Sequence, residues 1–364
     1  MAAVTLTDVA VRAGVSQPTA SRVLNGSARK PAPHVVEAVR RAAQELGYVP
    51  NAQAQALARS TTGLLGLVVH DISDPYFSTI ASGVQRAAAA RDRQMMLTAT
   101  LLSPAHEVDA VEAFISHRTD AIIMVGSRRT TDEGAAAAER LDVDLARYTG
   151  NGGRVAVVGQ AIPHAHAVIP DNIGGATALA DGLVGAGIRD FIVLCGPPEL
   201  TTAADRTTGF LSAIAGHGLS PRAVIPGAFT RDGGYDAART AIAGVPQGAD
   251  LAGAGPSRGI SGPVCLFAAN DVMALGAMTA MRELGISVPD EVQIAGFDDI
   301  PTLRDHSPSL TTVRLPLQAM GERAVELALA GPAGGDLQIE SITGEVVLRE
   351  STAVIGSQAA GSSG

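Results

Sequence analysis

Nine short apolar runs recur from residue 64 onward: LLGLVV (64–69), MMLTA (95–99), AIIMV (121–125), VAVV (155–158), AVI (167–169), FIVLC (191–195), AVI (223–225), VCLFAA (264–269) and VQIAGF (292–297). Most are continuously apolar rather than alternating, the pattern of strands covered on both faces in a parallel sheet. Parallel neighbours need crossover connections, and stretches of helical periodicity separate many of the runs, at 76–91, 105–117, 173–186, 203–215 and 270–284. The prediction is a doubly wound α/β architecture, with enough strands for two lobes.

The first sixty residues follow another rule. Thr5 precedes Asp8 by three positions, the form of a helix cap, and Val9, Ala10 and Ala13 follow on one helical face. Gly14 ends that helix; Ser16 caps a second, in which Pro18 is tolerated because first-turn donors have no intrahelical partner. Ala20, Val23 and Leu24 form its apolar stripe, so Gln17, Pro18, Ser21 and Arg22 face outward. A third helix carries Val36, Val39, Ala43 and Leu46 on one side and stops at Gly47. Three short helices with a tight turn between the first two describe an all-α helix-turn-helix unit. Residues 1–62 hold seven Lys or Arg and three acids, a net +4, whereas the chain as a whole is −9 and the remainder therefore −13. Any polyanion binds this front segment and is repelled by the rest. Amide and guanidinium groups on an exposed helix read base edges, Arg with guanine and Gln with adenine, while Pro18 offers only apolar contact. A helical module that binds protein is the alternative.

In a doubly wound fold, ligands collect at the carboxyl ends of the strands. There the sequence places Asp71, Asp74, Tyr76 and Phe77 after the first run, Arg206 beyond the sixth, Phe229 after the seventh, Asn270 after the eighth and Asp298 after the ninth. Carboxylates, an amide, a guanidinium and aromatic rings suit a polar, ring-shaped small molecule, with forked donors on its hydroxyls and ring faces over its body. Each also has a plainer role: Asn270, Asp171 and Asp298 as helix caps, the aromatics as core, Arg206 as the partner of a local acid such as Asp205.

The ordered match of Thr5-Leu6-x-Asp8-Val9-Ala10, Ala13-Gly14-Val15-Ser16, Thr19-x-Ser21-Arg22-Val23-Leu24-Asn25 and Leu46-Gly47-Tyr48-x-Pro50-Asn51 resembles the lactose-repressor (LacI/GalR) family of bacterial transcription regulators. The resemblance implies that Gln17, Pro18 and Arg22 read the operator, and that Thr5, Ser16, Thr19, Ser21 and Asn25 hold phosphates or brace the motif. Val35-Val36 stands where relatives usually carry Thr-Arg, which removes one phosphate contact. It further implies that residues 51–59, an Ala-rich segment too short to be a stable helix alone, form a hinge helix. Asn51, Ala54 and Leu57 would then enter the minor groove, with Leu57 as the wedge that kinks the duplex; the alternative for Leu57 is packing on the neighbouring domain. DISDPYF, DRTTGF, FAANDVMALGAM, IAGFDDIP and SPSLTTVRLP extend the resemblance into a two-lobed periplasmic-binding-protein-like domain. It makes Asp71, Asp74, Tyr76, Phe77, Arg206, Phe229, Asn270 and Asp298 the effector-site candidates, with Asp74 in place of the usual Asn.

The expected organisation is residues 1–49 as the DNA-binding domain, 50–62 as hinge and linker, 63–355 as the effector and dimerisation domain, and 356–364 as a disordered tail. The lobes are expected at about 63–162 with 298–330, and about 163–297 with 331–355. The stretch 127–153 is Arg-, Asp- and Gly-rich, and 244–263 reads as a Gly/Pro-rich loop. No secretory signal occurs in residues 1–30 and no apolar window is long enough to span a bilayer, so the reading is soluble and cytoplasmic. Cys195 and Cys265 sit in apolar runs as buried thiols. The nucleophile-elbow pattern fails at its fifth position in GVSQP and GLSPR, and the sole lysine, Lys30, lies outside any phosphate-binding loop. His164 and His166 have no matching cysteine or acid nearby in sequence, so no metal or other cofactor is expected. The expected function is a regulator, most simply a repressor, of double-stranded DNA at a near-palindromic operator. It acts as a homodimer or higher oligomer, controlled by a carbohydrate effector or, second, a nucleobase or nucleoside. A solute-uptake protein and a sugar- or nucleotide-processing enzyme are the alternatives from other classes.

Overall fold

The computed structural model describes residues 4–25, 31–49, 61–244, 263–330 and 336–352. The chain divides into two units, Met1–Leu64 and Leu65–Gly364. The hinge candidates Asn51, Ala54 and Leu57, residues 245–262 of the Gly/Pro-rich loop and the tail 356–364 lie outside the described residues.

Three helices build the first unit: α1 (Leu6–Ala13), α2 (Gln17–Asn25) and α3 (Pro33–Leu46). Thr5 and Asp8 cap α1 reciprocally: Thr5 Oγ1 accepts the Asp8 N–H at 3.3 Å, and the Asp8 carboxylate accepts the Thr5 N–H at 2.8 Å. Gly14 then turns the chain at φ 66°, a left-handed conformation that glycine adopts without a Cβ clash. Val9, Ala10, Ala20, Val39 and Ala42 form the buried centre, with Val23, Leu24, Ala43 and Leu46 packed around it. On α3 the stripe runs through Val35 rather than Val36, because positions 35, 39, 42 and 46 keep one face of a 3.6-residue helix.

The second unit holds two sheets. In the first, β1 (Leu64–Val69), β2 (Gln94–Ala99), β3 (Ala121–Gly126), β4 (Val155–Gly159), β5 (His166–Pro170) and β11 (Ile339–Ile342) lie in the order β11-β5-β4-β3-β1-β2. In the second, β6 (Phe191–Cys195), β7 (Ala223–Pro226), β8 (Val264–Ala268) and β9 (Val292–Ala295) lie in the order β7-β6-β8-β9, all parallel. Successive residues of β1 serve opposite faces of its sheet: Leu65, Leu67 and Val69 join one buried cluster and Val68 the other. β10 (Thr312–Arg314) and β12 (Glu345–Val347) form a separate antiparallel pair.

The expected lobe boundary at 162/163 does not follow the sheets. Val157 and Val158 pair with Ala167 and Val168, so β5 completes the first sheet, and β11 is added at its edge through Glu340 opposite Val168. Residues 166–170 and 339–342 therefore belong to the first lobe. A three-residue run such as AVI carries no mark of the sheet it joins; hydrogen-bond register decides. The stretch 127–153 contains a 19-residue helix, α6 (Asp132–Gly150), following α4 (Pro75–Ala89) and α5 (Pro104–Ser116). Thr131 caps α6 by accepting the Gly134 N–H at 3.1 Å, and Ala137, Leu141, Leu145 and Tyr148 form its buried face. The remaining helices are α7 (Asn172–Gly185), α8 (Thr201–Gly216), α9 (Arg231–Ala243), α10 (Asp271–Leu284) and α11 (Leu317–Leu329). Among the described residues, no helix is long and apolar enough to cross a membrane.

Candidate functional site

Strands of both sheets point their carboxyl ends at one cavity of ≈ 530 Å³. Asp71, Asp74, Tyr76, Phe77, Arg206, Phe229, Asn270 and Asp298 all line it. The DNA-reading candidates lie in the other unit, on and around α2.

Arg206, on α8, lines the cavity and is only 1% exposed. Its Nη2 donates to Asp298 Oδ1 at 2.7 Å and its Nη1 to Asp298 Oδ2 at 3.3 Å, a forked pair; Nη1 also donates to the Ala269 carbonyl at 2.9 Å and Nε to Asn172 Oδ1 at 2.9 Å. The guanidinium carbon lies 3.9 Å from the centroid of the Phe297 ring. A buried guanidinium needs this degree of pairing, since an unpaired charge away from water costs several kcal/mol or more. Burial pushes the Asp298 carboxyl up to about 6, with Arg206 pulling it down. Asp298 sits at φ 121° and Asp299 at φ 54°, sparsely populated conformations for side-chain-bearing residues. They are held from several sides: the Asp298 N–H donates to Val313 O at 2.8 Å, and the Asp299 carboxylate accepts from Arg314 and Arg349 at 2.7 and 2.6 Å.

For Asn270 the helix-cap role and the cavity-facing position coincide, whereas Asp298 spends its carboxylate on Arg206 and the 3-10 turn that follows it starts from Ile300; Asp74 is a cap as well. Asp74 caps α4 by accepting the Tyr76 N–H at 2.9 Å, Asp71 accepts the Ser73 N–H at 2.8 Å, and Asn270 Oδ1 caps α10 through the Met273 N–H at 2.9 Å. Capping fixes each side chain against a rigid element and leaves the remaining lone pairs, or the Nδ2 hydrogens of Asn270, for a ligand. Burial raises the Asp74 carboxyl, offset in part by the Tyr76 N–H, and raises the Tyr76 hydroxyl so that it stays a donor. Tyr76 and Phe77 meet edge to face at 5.0 Å, and both, with Phe229, pack against the core while lining the cavity. Arg206 pairs with Asp298 rather than with its neighbour Asp205.

Sequence reasoning passed over Asn172 and His70. Asn172 opens α7 directly after the capping Asp171 and orients Arg206; the signal is the Asp171-Asn172 pair that follows β5. His70 is 8% exposed and lines the cavity, and burial, with Arg128 adding, holds its imidazole down at about 4, hence neutral. The lobes also touch directly. The Thr201 N–H donates to Arg128 O at 3.0 Å, the Thr130 N–H to Glu199 O at 2.8 Å and the Thr202 N–H to Ser127 Oγ at 3.0 Å. His164 Nε2 lies 3.4 Å from Asp142 of α6, an acid distant in sequence, while His166 Nδ1 accepts the Gln338 N–H at 3.0 Å. The two rings are thus engaged separately.

In the first unit Gln17, Pro18 and Arg22 are exposed on α2, whose opposite side buries Ala20. Ser16 Oγ and Thr19 Oγ1 share a hydrogen bond of 2.8 Å in the turn that precedes the exposed face. Thr5 is exposed at the start of α1 and Ser21 is half-buried, while the side chain of Asn25 lies outside the described set.

Residues 5–51 match the model of bacterial regulatory proteins of the lacI family, and residues 180–352 match that of periplasmic binding protein-like domains. The chain is 34% identical to the HTH-type transcriptional regulator GalS of Salmonella typhimurium over 334 residues, 91% of each protein. It is 31% identical to the HTH-type transcriptional repressor PurR of Pasteurella multocida over 325 residues, 89% of this chain and 90% of that one. A solved transcriptional regulator CelR–cellobiose complex is similar with a TM-score of 0.65 and 27% identity, covering 96% of this chain and 99% of that one. Helix-turn-helix head, two-sheet body and relatives agree along nearly the whole length: the chain belongs to the lacI family of bacterial regulatory proteins and is a helix-turn-helix transcriptional regulator.

Proposed function

We propose that this regulator binds a near-palindromic operator as a homodimer and that a sugar or sugar derivative, held in the cleft between the lobes, sets its operator affinity. Gln17, Pro18 and Arg22 read bases, and Thr5, Ser16, Thr19, Ser21 and Asn25 contact phosphates or brace the motif; phosphate contacts set register while base contacts specify. One observation carries the effector reading: a buried Arg206–Asp298 fork opens on a cavity flanked by Tyr76, Phe77 and Phe229. Adjacent hydroxyls can donate to the carboxylate and accept from the guanidinium while an aromatic ring covers the C–H face. The similarity to GalS, and to a regulator solved with cellobiose, supports a sugar. The similarity to PurR and the same three aromatic rings support a nucleobase as the second reading.

The test is fluorescence anisotropy on operator fragments selected by the purified protein. A sugar that shifts operator affinity by about 5-fold or more, in either direction, supports the reading. A shift produced by adenine, guanine or hypoxanthine, with none from any sugar, replaces it with the second.

A further inference from the structure

The cleft has a neighbour. A second cavity of ≈ 490 Å³ lies in the first lobe among α5, the β3–α6 loop, the first turns of α6 and residues 161–163, and it shares His70, Leu102 and Ser127 with the main cleft. Sites for small organic ligands run from roughly 300 to 1,000 Å³. The main cavity alone lies toward the lower part of that range; the pair together reaches its upper end.

The shared wall holds one buried polar ring, His70, and one residue of a left-handed turn, Leu102, beside the half-buried Ser127. The His70 ring meets Phe77 at 5.4 Å, and its nitrogens take no hydrogen bond among the described residues although the residue is over nine-tenths buried. A neutral imidazole in that position offers one donor and one acceptor. Leu101 and Leu102 both adopt left-handed conformations, φ 51° and 62°, in a turn closed by the Ser103 N–H on Thr100 O at 3.0 Å. Consecutive non-glycine residues in that region are costly and persist where the site demands them. The turn leaves Leu101 71% exposed and makes Leu102 part of the sill between the cavities.

The second cavity is charged but balanced. Arg128 and Glu107 pair at 2.5 Å within it, and the α6 N-terminus that faces it already carries Asp132 and Glu133 in its first turn. A phosphate there would meet a neutralised guanidinium and like charges. Paired ions with lone pairs and N–H groups to spare suit neutral hydroxyls instead.

We propose that the effector is an oligosaccharide of at least two units, one ring at the Arg206–Asp298 fork and the next passing His70 and Leu102 into the second cavity. This rests on the sugar reading above. The test is calorimetric titration of the full-length protein with glucose, galactose, cellobiose, maltose, lactose, melibiose and glucose 6-phosphate. It is repeated on Ala138→Trp, which fills the second cavity from α6, and on Ala161→Trp, which fills it from the opposite loop should the first variant fail to fold. At least one disaccharide should bind about tenfold or more tighter than its component monosaccharides. The substitution should erase that advantage while the monosaccharide dissociation constant stays within about twofold. Equal binding of mono- and disaccharide, a disaccharide advantage that survives the filled cavity, or tightest binding of the sugar phosphate overturns the two-unit effector and leaves the sugar reading standing. No binding by any sugar overturns both.

Discussion

Arg206 and Asp298 carry a structural role beside the one proposed for them. Their fork ties α8 to the segment after β9, and it is buried, so removing one partner leaves the other as an uncompensated charge. Arg206→Met should lower the free energy of unfolding by about 3–5 kcal/mol in chemical denaturation. The double variant Arg206→Met/Asp298→Asn should recover part of the loss because no charge is stranded, while any effector response stays absent in both. A neighbouring acid makes a pH prediction. Asp271 is fully buried, accepting Thr312 Oγ1–H at 2.7 Å and the Ile300 N–H at 3.0 Å. Burial first, then Asp298, pushes its carboxyl from 3.8 up to about 8. The folded state thus holds a proton that the unfolded chain releases, so this stabilisation is complete below about pH 4 and is lost as pH rises through about 8. Asp271→Asn should flatten the fall in stability between about pH 5 and pH 8, a slope on the order of 1 kcal/mol per pH unit. An unchanged slope in the variant would show that the proton is bound elsewhere.

At the level of elements, the cleft depends on how closely helices approach. α9 and α10, which bring Arg231, Asp232, Val272 and Leu275 to the cavity, pack together where Gly276 lies against the Arg231 carbonyl and the Tyr235 N–H, with no room for a Cβ. Gly276→Ala should push the two helices apart, cost about 1–3 kcal/mol in denaturant unfolding, and weaken effector binding without replacing any side chain that lines the cavity. The helix proposed to read bases makes the opposite case, since α2 packs through Ala20, Val23 and Leu24 and keeps Arg22 exposed. Arg22→Ala should therefore leave the melting temperature nearly unchanged, yet cost about 1–3 kcal/mol in operator binding and relax preference at one base pair. Binding across a set of single-base operator variants measures both. These elements also mark the limits of legibility. Runs such as LLGLVV and VCLFAA are long enough to announce a buried strand, and the cap at Thr5 and the stop at Gly14 are written in local residues. α6 was hidden because its Ala-rich sequence, DEGAAAAERLDVDLARYTG, spreads few large apolar side chains over five turns. β5 and β11 join the first lobe rather than the second, against the sequence expectation, because sheet membership is a long-range choice with no local signature. The eight cleft residues were legible because strand ends are sequence-local in this fold; Asn172 was not, since its role depends on Arg206, which is 34 positions away.

Across the whole molecule, charge and linkage set what the two units do together. The front segment of +4 is joined to a body of −13, so duplex DNA is attracted only to the end that reads it. On the proposed reading the body contributes through coupling: its lobes are tied by the Arg128–Thr201 and Thr130–Glu199 backbone bonds beside the cleft. A ligand touching both lobes changes the balance between arrangements that keep those bonds and arrangements that break them. Linkage then requires reciprocity: if saturating sugar changes operator affinity by some factor, saturating operator must change sugar affinity by the same factor, typically about 5- to 150-fold. Titrating operator with and without sugar, and sugar with and without operator, at one ionic strength should give equal ratios. Thr202→Val removes the hydroxyl that accepts from Gln160 Nε2 at 3.2 Å and lies in the segment bonded to Ser127. It should alter both ratios equally while leaving sugar-free operator affinity within about twofold. A ratio of one in the unaltered protein, or a ratio that Thr202→Val leaves unchanged, would take from the cleft its place as the control element.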